Sequence, residues 1–313
     1  MIVQGNSMHI PLSDHSVQCV VTSPPYYGLR SYGIGTENGE IGLEPSTDEY
    51  VSKMVQVFRE VWRVLKDNGV VFLNLGDSYA GSGCGTNDYR TEASRSIDKS
   101  DKMYSKTPPQ QKRLVGLKPK DLIGIPWRVA FALQADGWYL RSEIIWAKLN
   151  PMTESVKDRP TKSHEQIFLL TKSSKYYYDA EAIKTPTKGS EHDKHARTSR
   201  KRFPTAEING IRGEGYYPMA NKRDVWTINT QPFRGAHFAV MPEKLVDPCI
   251  LAGSKQGDIV LDPFAGSGTV GVVAYKHGRE FVGVELNMEY IKIAEKRIQD
   301  IQRQIRIEFP DER

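Results

Sequence analysis

The chain has 313 residues, with 43 Lys and Arg against 38 Asp and Glu, a formal net charge of +5, 39% hydrophobic and 26% charged residues. That balance excludes a disordered chain, and the length allows one large domain or a domain with a smaller appendage. No run approaches the roughly 18 uninterrupted apolar residues of a membrane span, and the opening MIVQGNSMHIPLSDHS lacks a charged-then-apolar leader, so a cytoplasmic protein without a membrane partner is expected.

In chain order, Val17 to Thr22 reads as a short apolar strand. Ser46 to Glu49 form an S-x-x-E capping box, and Val51, Met54, Val55, Phe58, Val61, Trp62 and Leu65 follow at helical spacing. Asp67, Asn68 and Gly69 read as the end of that helix, ahead of a buried strand from Val70 to Leu75. Tyr79 to Gln111 is polar and nearly free of aliphatic residues, the composition of a long mobile loop. Pro126 to Ala135 has a helical pattern, and the segments opening at Glu143 (EIIWAK) and Gln166 (QIFLLTK) read as a strand pair. A βαβα run closes the chain: Ile259 to Asp262, a helix from Thr269 to His277 stopped by Gly278, Phe281 to Glu285, and a long helix from Met288. Strands alternating with helices imply an α/β fold, a mostly parallel sheet with helices on both faces.

Charge is unevenly placed. Between Lys184 and Arg223 there are ten basic residues against four acidic ones, so this segment alone holds the whole positive surplus. It is also poor in aliphatic residues and rich in Gly, Pro, Ser and Thr, which reads as a loop-rich excursion, either a solvated loop or a nucleic-acid contact.

Chemistry gathers at two strand ends. The first is DPFAGSGT, Asp262 to Thr269, where Gly266 and Gly268 allow a tight turn and a close backbone approach to a ligand before the next helix. Gly266 to Gly271 fits G-x-G-x-x-G by letter, a weak signal alone. Asp262 before the turn and Glu285 at the end of the next strand strengthen it, because a carboxylate there can accept both ribose hydroxyls of a dinucleotide or adenosyl cofactor. The second is TSPPYY, Thr22 to Tyr27, directly after the first strand. Two prolines remove two backbone donors and aim their carbonyls outward, with the Ser23 hydroxyl and the Tyr26 ring beside them. Oxygen acceptors next to an aromatic face suit a planar ring bearing an amino group; a rigid turn is the plainer reading.

Together, Ser-Pro-Pro-Tyr and DPFAGSGT resemble the S-adenosylmethionine-dependent DNA methyltransferases that modify exocyclic amino groups. Their order, catalytic motif first and cofactor loop last, resembles the β group of TSPPY type. The resemblance covers nearly the whole chain and implies a circularly permuted Rossmann-like class I methyltransferase sheet with a loop-rich target recognition insert. It implies a catalytic part over 1–180, a target recognition segment over 181–224, and a cofactor-binding part over 225–313. S-adenosyl-L-methionine is the implied cofactor, held by Asp262, Pro263, Phe264, Ala265, Gly266, Gly268, Thr269, Glu285 and Leu286. HFAVMPEKL, opening at His237 and Phe238, resembles the segment around the methionine end of that cofactor. Asn6 follows Gly5 where the family often has Gly-Asp at the adenine.

The same resemblance makes Ser23, Pro24, Pro25 and Tyr26 the catalytic set. Ser in first place implies the N4 amino group of cytosine, with N6 of adenine the alternative; an RNA or protein methyltransferase and a catalytically silent DNA-binding subunit are further alternatives. The conjugated amino lone pair is a poor nucleophile until its hydrogens are held by Ser23 Oγ and the Pro24 carbonyl. The base must leave the duplex to reach them, with Tyr26 replacing its lost stacking. The sulfonium is already an activated leaving group, so no metal is expected. Double-stranded DNA is the implied partner, touched by Arg30 in YYGLRSYGIG and by Arg197, Arg200, Lys201, Arg202 and Arg212 in the basic segment. No nuclease-like cluster is seen, so a cognate restriction endonuclease would be a separate protein; a homodimer is left open.

Three residue sets are decoys. Cys19, Cys84 and Cys249 give neither a disulfide framework nor a metal spacing, and Cys249 sits in an apolar stretch expected to be a packed helix. His192 and His195 lack cysteine partners for zinc. His164 and Glu165 match a segment that the family places beside the target base, and a strand-edge histidine explains them equally well.

Overall fold

A computed structural model describes residues 1–29, 34–80, 117–186, 219–231 and 240–308. The strands are β1 (Ile2–Gln4), β2 (Val17–Thr22), β3 (Leu65–Leu75), β4 (Tyr139–Ala147), β5 (His164–Thr171), β6 (Thr185–Pro186), β7 (Met219–Ala220), β8 (Val225–Thr227), β9 (Ile259–Asp262) and β10 (Glu280–Glu285). The α-helices are α1 (Thr47–Val64), α2 (Ile125–Ala135), α3 (Glu243–Gly253), α4 (Thr269–Lys276) and α5 (Met288–Glu308). Among the described residues, eight strands form one sheet in the order β1-β10-β9-β2-β3-β5-β4-β8, and β6 pairs with β7 apart from it. Every neighbouring pair is parallel except β5, which runs against both β3 and β4. The expected α/β architecture is present, and the chain enters and leaves the sheet beside β10, with the Gly-rich loop in its C-terminal third.

Alternation along β3 shows why both faces are covered. Val71, Leu73 and Leu75 point into a core shared with Tyr50, Met54, Phe58 and Val61 of α1 and Val129 and Leu133 of α2. Val70 and Phe72 point the other way, toward Leu245, Val246, Cys249 and Ile250 of α3 and Val270 and Val273 of α4. A strand buried on both sides loses the polar alternation of an exposed sheet, which is why this one reads as a continuous apolar run. The expected capping box holds α1: Ser46 Oγ accepts the Glu49 amide at 3.2 Å and donates to Glu49 Oε1 at 3.1 Å.

One boundary differs from expectation. The first helix ends at Val64, and Leu65 already pairs with Val17 in the sheet, so Asp67, Asn68 and Gly69 lie inside β3. Register between β2 and β3 shifts between Val17 and Cys19, and a Cβ on Gly69 would stand 2.6 Å from Leu65 Cδ1 and 3.0 Å from the Gln18 carbonyl. Asp-Asn-Gly therefore marks an irregularity in a strand, because pairing of the buried Leu65 overrides a local helix-stop signal. Cys249 lies in α3 as expected, and burial raises its thiol pKa well above the ordinary value. Burial raises Cys19 likewise, while Cys84 lies outside the described residues. No helix among the described residues is long and apolar enough to cross a membrane.

Candidate active site

The connection from β9 through α4 to β10 moves toward one edge of the sheet, and the connection from β2 through α1 to β3 moves toward the other. β9 and β2 are neighbours, so a crevice opens outside their carboxyl ends, the usual ligand position in an open α/β sheet. Both conspicuous sequence motifs sit there. They are joined at the base, where Thr22 Oγ1 donates to Asp262 Oδ1 at 2.7 Å. Asp262 is 2% exposed, and burial raises its pKa to about 7, against the opposing pull of the Thr22 hydroxyl and the Phe264 amide.

The loop after β9 is a set of backbone bonds. Phe264 N–H donates to Asp262 Oδ1 at 3.0 Å, Ala265 N–H to the Val284 carbonyl at 2.9 Å, and Gly268 N–H to the Ala265 carbonyl at 2.8 Å. Glu285 closes it from β10: Oε2 accepts the Gly266 amide at 2.9 Å and Oε1 the Asn287 amide at 2.8 Å. Burial raises the Glu285 pKa, and the Asn287, Gly266 and Leu286 amides draw it back down. Gly266 (φ +50°) and Gly268 (φ +77°) are both left-handed, with different surroundings. Gly266 faces open space, with its nearest neighbour 3.9 Å from a built Cβ, whereas a Cβ on Gly268 would stand 2.7 Å from that of Ala294 in α5.

The loop after β2 is held by side chains. Tyr50 of α1 donates its hydroxyl to the Pro25 carbonyl at 2.9 Å, so one of the two carbonyls expected to face outward is consumed. Ser23 Oγ donates to Tyr26 Oη at 3.2 Å, and Tyr26 Oη donates to Glu165 Oε2 at 2.6 Å. Asn74 Nδ2 lies 3.3 Å from Ser23 Oγ, 2.8 Å from Tyr26 Oη and 2.9 Å from Glu165 Oε2. Lys148, just past β4, forms a close ion pair with Glu165 Oε1, and its ammonium lies 4.4 Å from the Trp146 ring centre. Gly76 backs the Tyr26 ring so tightly that a Cβ would stand 2.4 Å from Tyr26 Cε2.

A cavity of about 360 Å³ joins the two loops, within the range of small-molecule sites. Ser23, Pro24, Pro25, Tyr26, Asp262, Pro263, Phe264, Ala265, Gly266, Thr269, Glu285 and Leu286 line it, so the structure brings most of the sequence-selected residues together. Two are placed elsewhere. Gly268 packs against α5, and Asn6 accepts the Met8 amide at 3.0 Å while its neighbour Ser7 lines the cavity. His237, Phe238, Arg30, Arg197, Arg200, Lys201, Arg202 and Arg212 lie outside the described residues, although Val240 and Met241 of the HFAVMPEKL segment line the cavity. Of the His164 and Glu165 pair, Glu165 faces the cavity and His164 is exposed. Sequence reading passed over Asn74, Trp146 and Lys148. An asparagine inside VVFLNL and a lysine ending EIIWAK were the available signals, since a polar group in a buried strand needs a partner.

Comparison with known proteins places this arrangement. The family described as DNA methylase (N6_N4_Mtase) matches residues 17–296. The type II methyltransferase M.Cfr9I of Citrobacter freundii is 50% identical over 300 residues, covering 95% of this chain and 87% of that protein. M.SmaI of Serratia marcescens is 48% identical over 287 residues, covering 92% and 86%. Among solved structures, the PvuII DNA methyltransferase (cytosine-N4-specific) aligns with a TM-score of 0.62 at 17% identity over 97% of this chain and 91% of that one. TTHA0409 of Thermus thermophilus, a putative DNA modification methylase complexed with S-adenosyl-L-methionine, aligns at 0.57 with 20% identity over 96% and 93%. These two likenesses show a shared fold, and the family match and the two type II relatives show that the chain is a DNA methyltransferase belonging to the N6/N4 DNA methylase family.

Proposed function

We propose that the protein transfers a methyl group from S-adenosyl-L-methionine to the N4 amino group of cytosine in double-stranded DNA. The carrying observation is the junction of the two loops: Ser23 Oγ and the Pro24 carbonyl, which has no donor among the described residues, share one cavity with the Gly266 turn and Glu285. The residues fit the cofactor. Glu285 accepts the Gly266 amide on Oε2 and the Asn287 amide on Oε1 and keeps acceptor capacity for a ribose hydroxyl, and Gly266 leaves room where a side chain would enter the cavity. Ser7, Asp262, Phe264, Thr269, Leu286 and Tyr290 complete the wall; Gly268 acts by packing the loop on α5 and Asn6 by its bond to the Met8 amide, and His237 and Phe238 are proposed as further cofactor contacts. S-adenosylmethionine supplies an electrophilic methyl group on a sulfonium.

What the protein adds is orientation. Ser23 Oγ and the Pro24 carbonyl accept the two amino hydrogens, which localises the nitrogen lone pair toward the methyl group. The Tyr26 ring, backed by Gly76, takes the stacking role for a flipped base. Serine opening the motif favours cytosine, in keeping with the cytosine-N4 specificity of the PvuII enzyme; N6 of adenine is the second reading, because the family is named for both. The proposed division has 1–180 as catalytic part, 181–224 as target recognition segment and 225–313 as cofactor part, with Arg30, Arg197, Arg200, Lys201, Arg202 and Arg212 on DNA. Neutralising Arg200, Lys201 and Arg202 together then weakens DNA binding and flattens its salt dependence; an unchanged slope makes the segment a solvated loop. The deciding experiment is incubation with duplex DNA and labelled methyl donor, followed by digestion to nucleosides. Label in N4-methylcytosine is expected, and label in N6-methyladenine overturns the base assignment.

A further inference from the structure

We propose that Glu165 is the final acceptor of the proton released by the methylated amino group, reached through Ser23 and Tyr26, with Lys148 compensating its charge. This deepens the reading above, resting on an amino group at Ser23 but not on which base carries it.

Methyl transfer forms a nitrogen–carbon bond and breaks the sulfur–carbon bond, so the amino nitrogen becomes positively charged while keeping both hydrogens. One proton must leave, and its bonding pair returns to nitrogen. The donors already point along a path: Ser23 Oγ donates to Tyr26 Oη at 3.2 Å, and Tyr26 Oη donates to Glu165 Oε2 at 2.6 Å. A proton passing from nitrogen to Ser23 Oγ releases the serine proton to Tyr26 Oη, and the phenolic proton to Glu165. Serine and tyrosine end neutral, the base ends as a neutral methylamine, and Glu165 holds the proton.

Burial and the adjacent Glu165 charge raise the Tyr26 pKa well above that of an ordinary phenol, so Tyr26 is a neutral conduit and not itself the acceptor. Asn74 cannot be the acceptor either, since its NH₂ group faces the two hydroxyls and the carboxylate. The charged groups around Glu165 are Lys148 in contact and Lys162, whose charge it feels; Tyr26 is the other titratable group touching it among the described residues. The Lys148 pair occupies the far oxygen and leaves Oε2, which accepts the Tyr26 hydroxyl, as the oxygen that the relayed proton reaches.

Single-turnover methyl transfer from S-adenosylmethionine to duplex DNA tests the relay, with cofactor affinity and melting temperature as controls. Glu165→Gln is expected to lower the rate at least tenfold at pH 7 with cofactor affinity unchanged, and its rate should climb with pH more steeply than the parent's as hydroxide takes the proton. Tyr26→Phe interrupts the same path, so the double variant should be no slower than the slower single one. A parental rate, a parental pH profile in Glu165→Gln, or fully multiplicative losses in the double variant overturns the relay. If Glu165→Gln does not fold, Tyr26→Phe decides alone, since the same pH-dependent deficit supports the path and a pH-independent one refutes it. Label in adenine overturns the cytosine reading and leaves these rate comparisons to judge the relay; no label in either base overturns both.

Discussion

The loop after β9 is closed by its own backbone and two carboxylates, whereas the loop after β2 is held by side chains arriving from α1, β3, β4 and β5. The first kind of site is written locally: glycines at 266 and 268 and an acid at the end of the next strand are enough to define it. The second is assembled only when four strands line up as β2-β3-β5-β4. If the two halves divide their labour in this way, damage to one should spare the other. Ser23→Ala gives the largest effect, a fall in methyl transfer of about 10- to 1,000-fold with cofactor affinity retained. Equilibrium binding beside single-turnover rates checks it, and near-normal turnover would remove Ser23 from the mechanism.

The converse variant is Glu285→Ala. It deletes the acceptor for the Gly266 and Asn287 amides as well as the proposed ribose contact. Charge-assisted hydrogen bonds of this kind are each worth about 1.5–3 kcal/mol, so cofactor affinity should drop about 10- to 100-fold, with the rate at saturating cofactor much less affected. Parental affinity in a titration would show that the acid only shapes the loop. Within that loop the two glycines sharpen the contrast. Gly268→Ala meets Ala294 and keeps a left-handed φ, costing about 1–3 kcal/mol of stability seen as a lower melting temperature. Gly266→Ala carries the left-handed strain without the clash and faces the cavity, so it should lose less melting temperature than Gly268→Ala and lose cofactor affinity as well. Equal losses of stability in the two would erase the distinction.

Legibility in the sequence follows the same divide. β9, α4 and β10 were readable because the apolar runs, the Gly turn and the terminal Glu285 are contiguous, and Ser23 to Tyr26 were readable as a motif. Asn74 and Lys148 were not, because their meaning comes from neighbours 51 residues away at Ser23 and 17 residues away at Glu165. Tyr50 could be read only as a core position of an amphipathic helix, yet its hydroxyl occupies the Pro25 carbonyl. Asp67 to Gly69 was misread for the matching reason: a local stop signal lost to the pairing of Leu65 with Val17.

The smallest effect concerns the bond joining the two loops. Burial raises the Asp262 pKa to about 7 in the folded protein, against an ordinary value of 3.8. The folded state therefore binds this proton more tightly than the unfolded chain does, so the stabilisation is complete below 3.8 and is lost as pH rises through 7. Carboxylates with the opposite shift, such as Glu60 and Asp67, titrate mainly in acid and are common to parent and variant, so they drop out of the difference. Glu285 shifts in the same direction as Asp262 and is present in both parent and variant, so its own slope drops out of their difference except through its charge, which helps to raise Asp262. Asp262→Asn keeps a carbonyl oxygen for the Thr22 hydroxyl and the Phe264 amide while removing the proton equilibrium. Between pH 5 and 8 the parent's unfolding free energy should decline relative to the variant's by at most about 1.4 kcal/mol per pH unit, the limit for one proton, and level off above pH 7. Parallel curves for the two proteins would mean that Asp262 is ionised in the folded state across this range, with the hydrogen bonds from the Thr22 hydroxyl and the Phe264 amide offsetting its burial.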